Sequence, residues 1–86
     1  MNGVLLTGAT TPFGRALAQA LVDDEGFGPI LAAGIEEGAP GLPTHPRLIY
    51  RRVDLTRSRD IQGLLGGPAR ELGIEHFMDV AFSYQA

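Results

Sequence analysis

Residue types near the start of the chain could bind a phosphate group. Residues 7–14, with the sequence TGATTPFG, follow an apolar run at residues 4–6 and precede a segment with helical periodicity. A helix N-terminus offers unpaired backbone N–H groups and about half a positive charge, both of which stabilise a phosphate. Glycine has no Cβ, so the backbone can turn tightly there and approach a ligand. A strand, a glycine-bearing turn and a helix in this order predict the pyrophosphate corner of a dinucleotide-binding fold.

This segment resembles the nucleotide-binding turn of the extended short-chain dehydrogenase/reductases, the family that includes NAD-dependent epimerases and dehydratases. Their fingerprint is Thr-Gly-x-x-Gly-x-x-Gly, and this chain has Thr11 in place of the middle glycine. That glycine lets the pyrophosphate come close, so we expect altered cofactor geometry. Thr11 is predicted instead to cap the helix, with Pro12 at its first position. The resemblance implies cofactor contacts from Thr7, Gly8, Thr10, Thr11, Pro12, Phe13 and Gly14.

Two acidic residues follow the next apolar runs, and the resemblance gives each a role at the adenosine end. Glu36 would hold the ribose hydroxyls and repel a 2′-phosphate, so NAD is favoured over NADP. Asp54, followed by Leu55, would lie beside the adenine ring. The alternatives are a solvated loop carboxylate for Glu36, next to Glu37, and for Asp54 a cap on the turn before Thr56.

Near the end of the chain, the sequence matches the family in the kind of residue present and not in the residues themselves. Residues 79–81 occupy the place of a family segment, often His-x-Ala-Ala, that passes the ribose and nicotinamide side of the cofactor, which would make Ala81 a cofactor contact. Asp79 departs from that pattern. A buried carboxylate is costly unless it is paired, so we expect Asp79 at an edge or frayed end.

Periodicity predicts an α/β chain. Short apolar runs without alternation indicate buried parallel strands, and apolar residues at i, i+3 and i+4 indicate helices. The predicted elements are a strand at 3–7, a helix from Pro12 to about Asp24, a strand at 30–35, a loop at 36–46, a strand at 48–53, a helix capped by Thr56 or Ser58 with a break at residues 66–68, and a strand at 76–82.

These elements predict a Rossmann-like half domain: a two- or three-layer parallel sheet of about four strands with two main helices. Residues 1–86 are expected to form one truncated dinucleotide-binding domain. The resemblance places the first strand between the second and the fourth. The fourth would then be an exposed edge, so we expect a homo-oligomer or other association through residues 76–82.

Composition argues against several other classes. The net charge of −3, with scattered arginines, predicts no nucleic-acid partner. No run approaches 18 apolar residues, which predicts no membrane span. The chain has no cysteine, which is compatible with the cytoplasmic location that we predict. His45 and His76 are isolated, so no metal site is expected.

The catalytic pair of the resembling family, Tyr-x-x-x-Lys, is missing. The chain has no lysine, and Tyr50 is followed four residues later by Asp54. We therefore expect no catalysis by this chain alone. Three explanations stay open, in this order: a segment of a longer oxidoreductase, a small module that binds NAD or another adenine nucleotide, and a protein-interaction module that has lost cofactor binding.

Overall fold

The apolar runs of the sequence form the strands of one parallel sheet. The computed structural model describes residues 2–38 and 41–79. Its elements, in chain order, are β1 (Gly3–Thr7), α1 (Pro12–Asp23), β2 (Ile30–Gly34), β3 (Leu48–Arg52), α2 (Ser58–Gly66), α3 (Pro68–Glu71) and β4 (Ile74–Asp79).

The sheet has the order β3-β2-β1-β4, with every neighbouring pair parallel. Strand β1 is therefore central, between β2 and β4, which confirms the predicted order. All residues of β1 and β2 are buried, and this explains why their sequences are apolar without alternation. The described part of the β2–β3 connection contains no helix.

Helices cover both faces of the sheet, which makes three layers. Successive strand residues point to opposite faces. Leu6 and Ile30 pack with Leu21 of α1 in one apolar cluster. Leu5 and Leu31 pack with residues of α2 and α3 in the other. The α/β, Rossmann-like fold class is thus confirmed.

The strands predicted at 30–35 and 48–53 each end one residue earlier, at Gly34 and Arg52. Two further differences from the sequence-based prediction lie at the starts of α2 and β4. Neither predicted cap of α2 caps it: Arg57 occupies the N-cap position and makes no side-chain cap hydrogen bond, while the Thr56 hydroxyl is donated to Asp54. Strand β4 begins at Ile74 rather than at residue 76, because Gly73, with φ of 65°, turns the chain directly after α3. The predicted residues 80–82 of this strand lie outside the described ranges. The predicted helix break is confirmed by the separation of α2 from α3.

Two glycine-to-alanine substitutions should have opposite effects on stability. A Cβ on Gly14 would overlap the Gly8 carbonyl oxygen and lie 2.9 Å from the Cα of Ala9, so Gly14→Ala should destabilise the fold by roughly 1–3 kcal/mol or more. A Cβ on Gly63, in the middle of α2, meets nothing within 4 Å. Gly63→Ala should therefore stabilise it by roughly 0.5–1 kcal/mol.

Urea unfolding followed by circular dichroism measures both free energies of unfolding. Equal effects of the two substitutions would contradict the close contact between α1 and the end of β1.

Candidate functional site

The turn between β1 and α1 is held by the Thr11 side chain. Its Oγ1 accepts a hydrogen bond from the Gly14 amide at 3.0 Å and donates one to the Gly8 carbonyl at 2.7 Å. Gly8 has a φ of 66°, a conformation that favours glycine. Thr11 is the N-cap of α1 and Pro12 the first helical residue, so the predicted capping is confirmed.

This cap reduces the number of backbone donors available to an anion. The Gly14 N–H, in the first turn of α1, is already bound to Thr11. The Phe13 N–H has no hydrogen-bond partner within the described part of the chain, and the Phe13 side chain is 62% exposed. The helix N-terminus therefore keeps its partial positive charge but shares its donors with its own cap.

A cleft of about 240 Å³ lies at the carboxyl ends of β1, β2 and β3. Ligands of open α/β sheets bind at this end of the strands. The cleft brings together six of the residues that the sequence singled out; its lining is Gly8, Thr10, Thr11, Ala33, Gly34, Ile35, Glu36, Val53, Asp54, Leu55 and Thr56.

Glu36 is held at the rim of this cleft by its neighbours. The hydroxyl of Thr10, a buried residue, donates to Glu36 Oε1 at 3.1 Å. The Tyr50 hydroxyl, from β3, donates to the Glu36 backbone carbonyl. Arg52 Nε donates to the Ile35 carbonyl at 2.9 Å. Glu36 itself is exposed, so its carboxylate can meet a ligand.

Asp54 lies in the cleft wall and also organises its own turn. Its Oδ1 accepts hydrogen bonds from the Thr56 amide at 3.0 Å and from the Thr56 hydroxyl at 2.6 Å, and Arg57 Nε lies 3.4 Å from its Oδ2. The Thr56 hydroxyl, more than any other group, holds the pKa of the Asp54 carboxyl below its usual value. The turn-capping alternative is thus present in the structure. It leaves Asp54 in the cleft lining.

Thr7 and Asp79 lie beside this cleft rather than in it. Thr7 Oγ1 donates to Asp79 Oδ1 at 2.8 Å. Both line a second pocket of about 300 Å³ that Leu55 and Phe77 also line. Asp79 is exposed on β4, an edge of the sheet that the described residues form, as its charge predicted. Ala81 lies outside the described residues.

Sequence reasoning missed Tyr50 and Gly34 as parts of the site. In the sequence, Tyr50 points to a function only through the absent Tyr-x-x-x-Lys pair. In the structure Gly34 lines the cleft, and the Tyr50 hydroxyl reaches past it to the Glu36 carbonyl. An available signal was a glycine at the end of one apolar run and a tyrosine in the next, since parallel strands can place the two side by side.

The described residues contain neither a membrane-spanning helix nor a cluster of metal ligands. Within residues 2–38 and 41–79 the longest helix, α1, has 12 residues, and no helix there could span a bilayer, which takes about 20 apolar residues. Those ranges contain no group of three His, Cys, Asp or Glu side chains placed to hold a metal ion.

A solved structure of similar fold is that of the putative carbonyl reductase Sniffer of Caenorhabditis elegans. It matches with a TM-score of 0.81 over 92% of this chain, at 22% sequence identity, and the chain spans 37% of the length of that structure's chain. At this identity the likeness shows the fold, which is Rossmann-like. No protein-family model matches the sequence, and no curated protein matches it. The likeness agrees with the predicted Rossmann-like fold, and the short-chain dehydrogenase/reductase family and its epimerase/dehydratase branch stay predictions.

The hydrogen bonds of the Asp54 turn predict that the stability of the fold depends on pH. The depressed pKa means that the turn contributes stability above the ordinary aspartate pKa of about 3.9 and loses it as the pH falls through the lower, folded-state pKa. Thr56→Val removes the 2.6 Å hydrogen bond, so it should raise the pKa of Asp54 toward the ordinary value. Carboxyl-carbon NMR titration measures that pKa.

Thr44→Val, at an exposed loop threonine, is the matched control and should leave the pKa of Asp54 unchanged. An unaltered Asp54 titration in Thr56→Val would show that another group lowers this pKa.

Proposed function

We propose that this chain is an NAD-binding segment of an oxidoreductase similar to the epimerases and dehydratases of the short-chain dehydrogenase/reductase family. The adenosine half of the cofactor would occupy the cleft of about 240 Å³, and the pyrophosphate would lie at the β1–α1 turn. The observation that carries the proposal is the convergence of Gly8, Glu36 and Asp54 on one cleft at the carboxyl ends of parallel strands.

The residues of the cleft fit an adenosine. Ile35 is 57% exposed and Leu55 37% exposed, and both offer apolar surface to the faces of an adenine ring. The Glu36 carboxylate can accept hydrogen bonds from the two ribose hydroxyls, since an ionised carboxylate only accepts. Its negative charge would repel a 2′-phosphate, which favours NAD over NADP.

The β1–α1 turn fits a pyrophosphate less completely. The Phe13 N–H, which has no partner among residues 2–38 and 41–79, and the positive end of α1 favour an anion. Thr11, however, binds the Gly14 N–H that a phosphate oxygen could otherwise use. We therefore expect the Thr11 cap to lower the affinity for the cofactor.

The proposed role of this chain is binding and orientation. A bound nicotinamide ring would supply hydride transfer. The Tyr-x-x-x-Lys pair that performs acid–base chemistry in the resembling family has no counterpart in the sequence. Because the chain spans 37% of the reductase chain that it resembles, substrate and reaction belong to parts of a larger protein in this proposal.

Calorimetric titration with NAD+ and NADP+ tests cofactor binding. The wild-type chain should bind NAD+ with a millimolar or lower Kd and bind NADP+ more weakly. Glu36→Gln keeps the size of the side chain but removes its charge. We expect Glu36→Gln to weaken NAD+ binding and to reduce the preference for NAD+ over NADP+. Absence of heat with either cofactor at millimolar concentration, in a protein shown to be folded by circular dichroism, would contradict the proposal.

Thr11→Gly is the matched variant for the pyrophosphate end in that titration. It frees the Gly14 N–H at a helix cost of only a few tenths of a kcal/mol, so NAD+ affinity should rise several-fold. Adenosine, which carries no phosphate, should bind the variant and the wild type equally. If Thr11→Gly raised the affinity for adenosine as much as the affinity for NAD+, Thr11 would not act on the pyrophosphate.

Self-association through β4 is a second proposal, and the exposure of one aromatic residue favours it. Strand β4 is an edge of the described sheet, and Phe77 on it is 65% exposed. Leu65 of α2, 53% exposed, lines the same pockets as Phe77. An exposed strand edge with apolar side chains is a ready surface for pairing with another chain.

The association proposal predicts dimers or larger species that Phe77→Lys disrupts, because a charge at this position opposes burial against a second copy. Phe13→Lys is the matched control, since Phe13 is 62% exposed but lies on α1. Sedimentation velocity over a range of concentrations measures the oligomeric state of the wild type and of both variants. A monomeric wild type at the highest concentration would rule out this interface.

A further inference from the structure

We propose that Thr10 and Tyr50 are positioning residues that hold Glu36 for the cofactor ribose and so determine the preference for NAD over NADP. The inference rests on the proposed function. It gives a new role to Thr10, a residue of the glycine motif, and adds Tyr50, to which neither the motif nor the acidic residue points. The three come from different elements: Thr10 from the β1–α1 turn, Glu36 from the residues after β2, and Tyr50 from β3.

The two residues hold Glu36 at different atoms. The Thr10 hydroxyl donates to the carboxylate Oε1 at 3.1 Å, and the Tyr50 hydroxyl donates to the backbone carbonyl. Thr10 is itself anchored, because it is 5% exposed and its carbonyl accepts from Arg15 Nε at 3.0 Å. A side chain held at both its base and its tip loses less conformational entropy when a ligand binds.

Gly34 provides the space that this arrangement needs. A Cβ at Gly34 would lie 2.8 Å from the Tyr50 hydroxyl oxygen and 3.0 Å from Thr10 Oγ1. Both hydroxyls therefore pass over the end of β2 where only a glycine leaves room for them. Both lie close to the same glycine, and each hydrogen-bonds to Glu36 from there.

The chemistry of Thr10, Tyr50 and Glu36 suits recognition of ribose hydroxyls. Partial burial, and then the nearby Glu36 carboxylate, raise the pKa of the Tyr50 phenol, so it remains a hydrogen-bond donor at neutral pH. Thr10 occupies one lone pair of Oε1. The remaining acceptor positions of the carboxylate are available to the two ribose hydroxyls. A fixed carboxylate also keeps its charge where a 2′-phosphate would have to lie.

Calorimetric titration of Thr10→Val and Tyr50→Phe with both cofactors tests the inference. Each substitution nearly preserves shape and removes one hydroxyl. We expect the Kd for NAD+ to rise about tenfold while the Kd for NADP+ stays constant or falls, so that the preference between them shrinks. Thr10→Ser, which keeps the hydroxyl, should restore the wild-type preference.

A second readout needs no cofactor. In a Tyr84→Phe background Tyr50 is the only tyrosine, so ultraviolet titration reports its phenol alone. Glu36→Gln should lower the pKa of Tyr50, because it removes the carboxylate that raises it. An unchanged pKa would contradict the proximity of the Glu36 carboxylate to the Tyr50 phenol, on which the positioning role depends.

The outcomes separate the inference from the proposed function. If the wild type prefers NAD+ and both hydroxyl deletions weaken the two cofactors equally, the positioning role is overturned and nucleotide binding stands. If Thr10→Ser behaves like Thr10→Val, packing rather than the hydroxyl is responsible, and the inference also fails. A folded wild type that binds neither cofactor overturns both proposals.

Discussion

The close approach of helix α1 to the end of β1 determines the geometry of the whole candidate site. Gly14 packs against the Gly8 carbonyl at a distance that leaves no room for a Cβ. The contact fixes the angle at which α1 leaves the sheet. Thr10 and Thr11, two of the five residues between these glycines, consequently line the cleft at the carboxyl ends of the strands. A looser packing would separate the turn from Glu36.

The same turn carries a conflict between folding and binding. A helix N-terminus must have its N–H groups satisfied by a cap, water or a ligand. Thr11 satisfies the Gly14 amide from within the chain and thereby stabilises the helix without a ligand. A glycine at this position would leave the amide available to a phosphate. In the proposed function, this departure from the pattern of the resembling family would lower the affinity for the pyrophosphate, whereas binding of the adenosine would depend on other residues.

Much of the fold could be predicted from local sequence, and less of the site could. The apolar runs at residues 4–6 and 30–33 indicated buried strands, and the Thr11-Pro12 pair indicated the start of α1; the structure has both. The cap of α2 was predicted wrongly, because the Thr56 hydroxyl binds the nearby Asp54 instead of the helix. Such a choice between two local partners depends on the exact backbone path of the turn.

The sequence alone determined the elements, their parallel arrangement and the acidic residue that ends the second apolar run, since these follow from periodicity, glycine placement and the resemblance of one motif. Only the tertiary structure decided which side chains meet. Thr10 and Tyr50 lie 26 and 14 residues from Glu36 in sequence and hydrogen-bond to it. The physical reason is that the register of β3 on β2 and the absence of a Cβ at Gly34 control this contact. The identity of Gly34 can be read in the sequence, but the register between the two strands is not a property of any local stretch of residues.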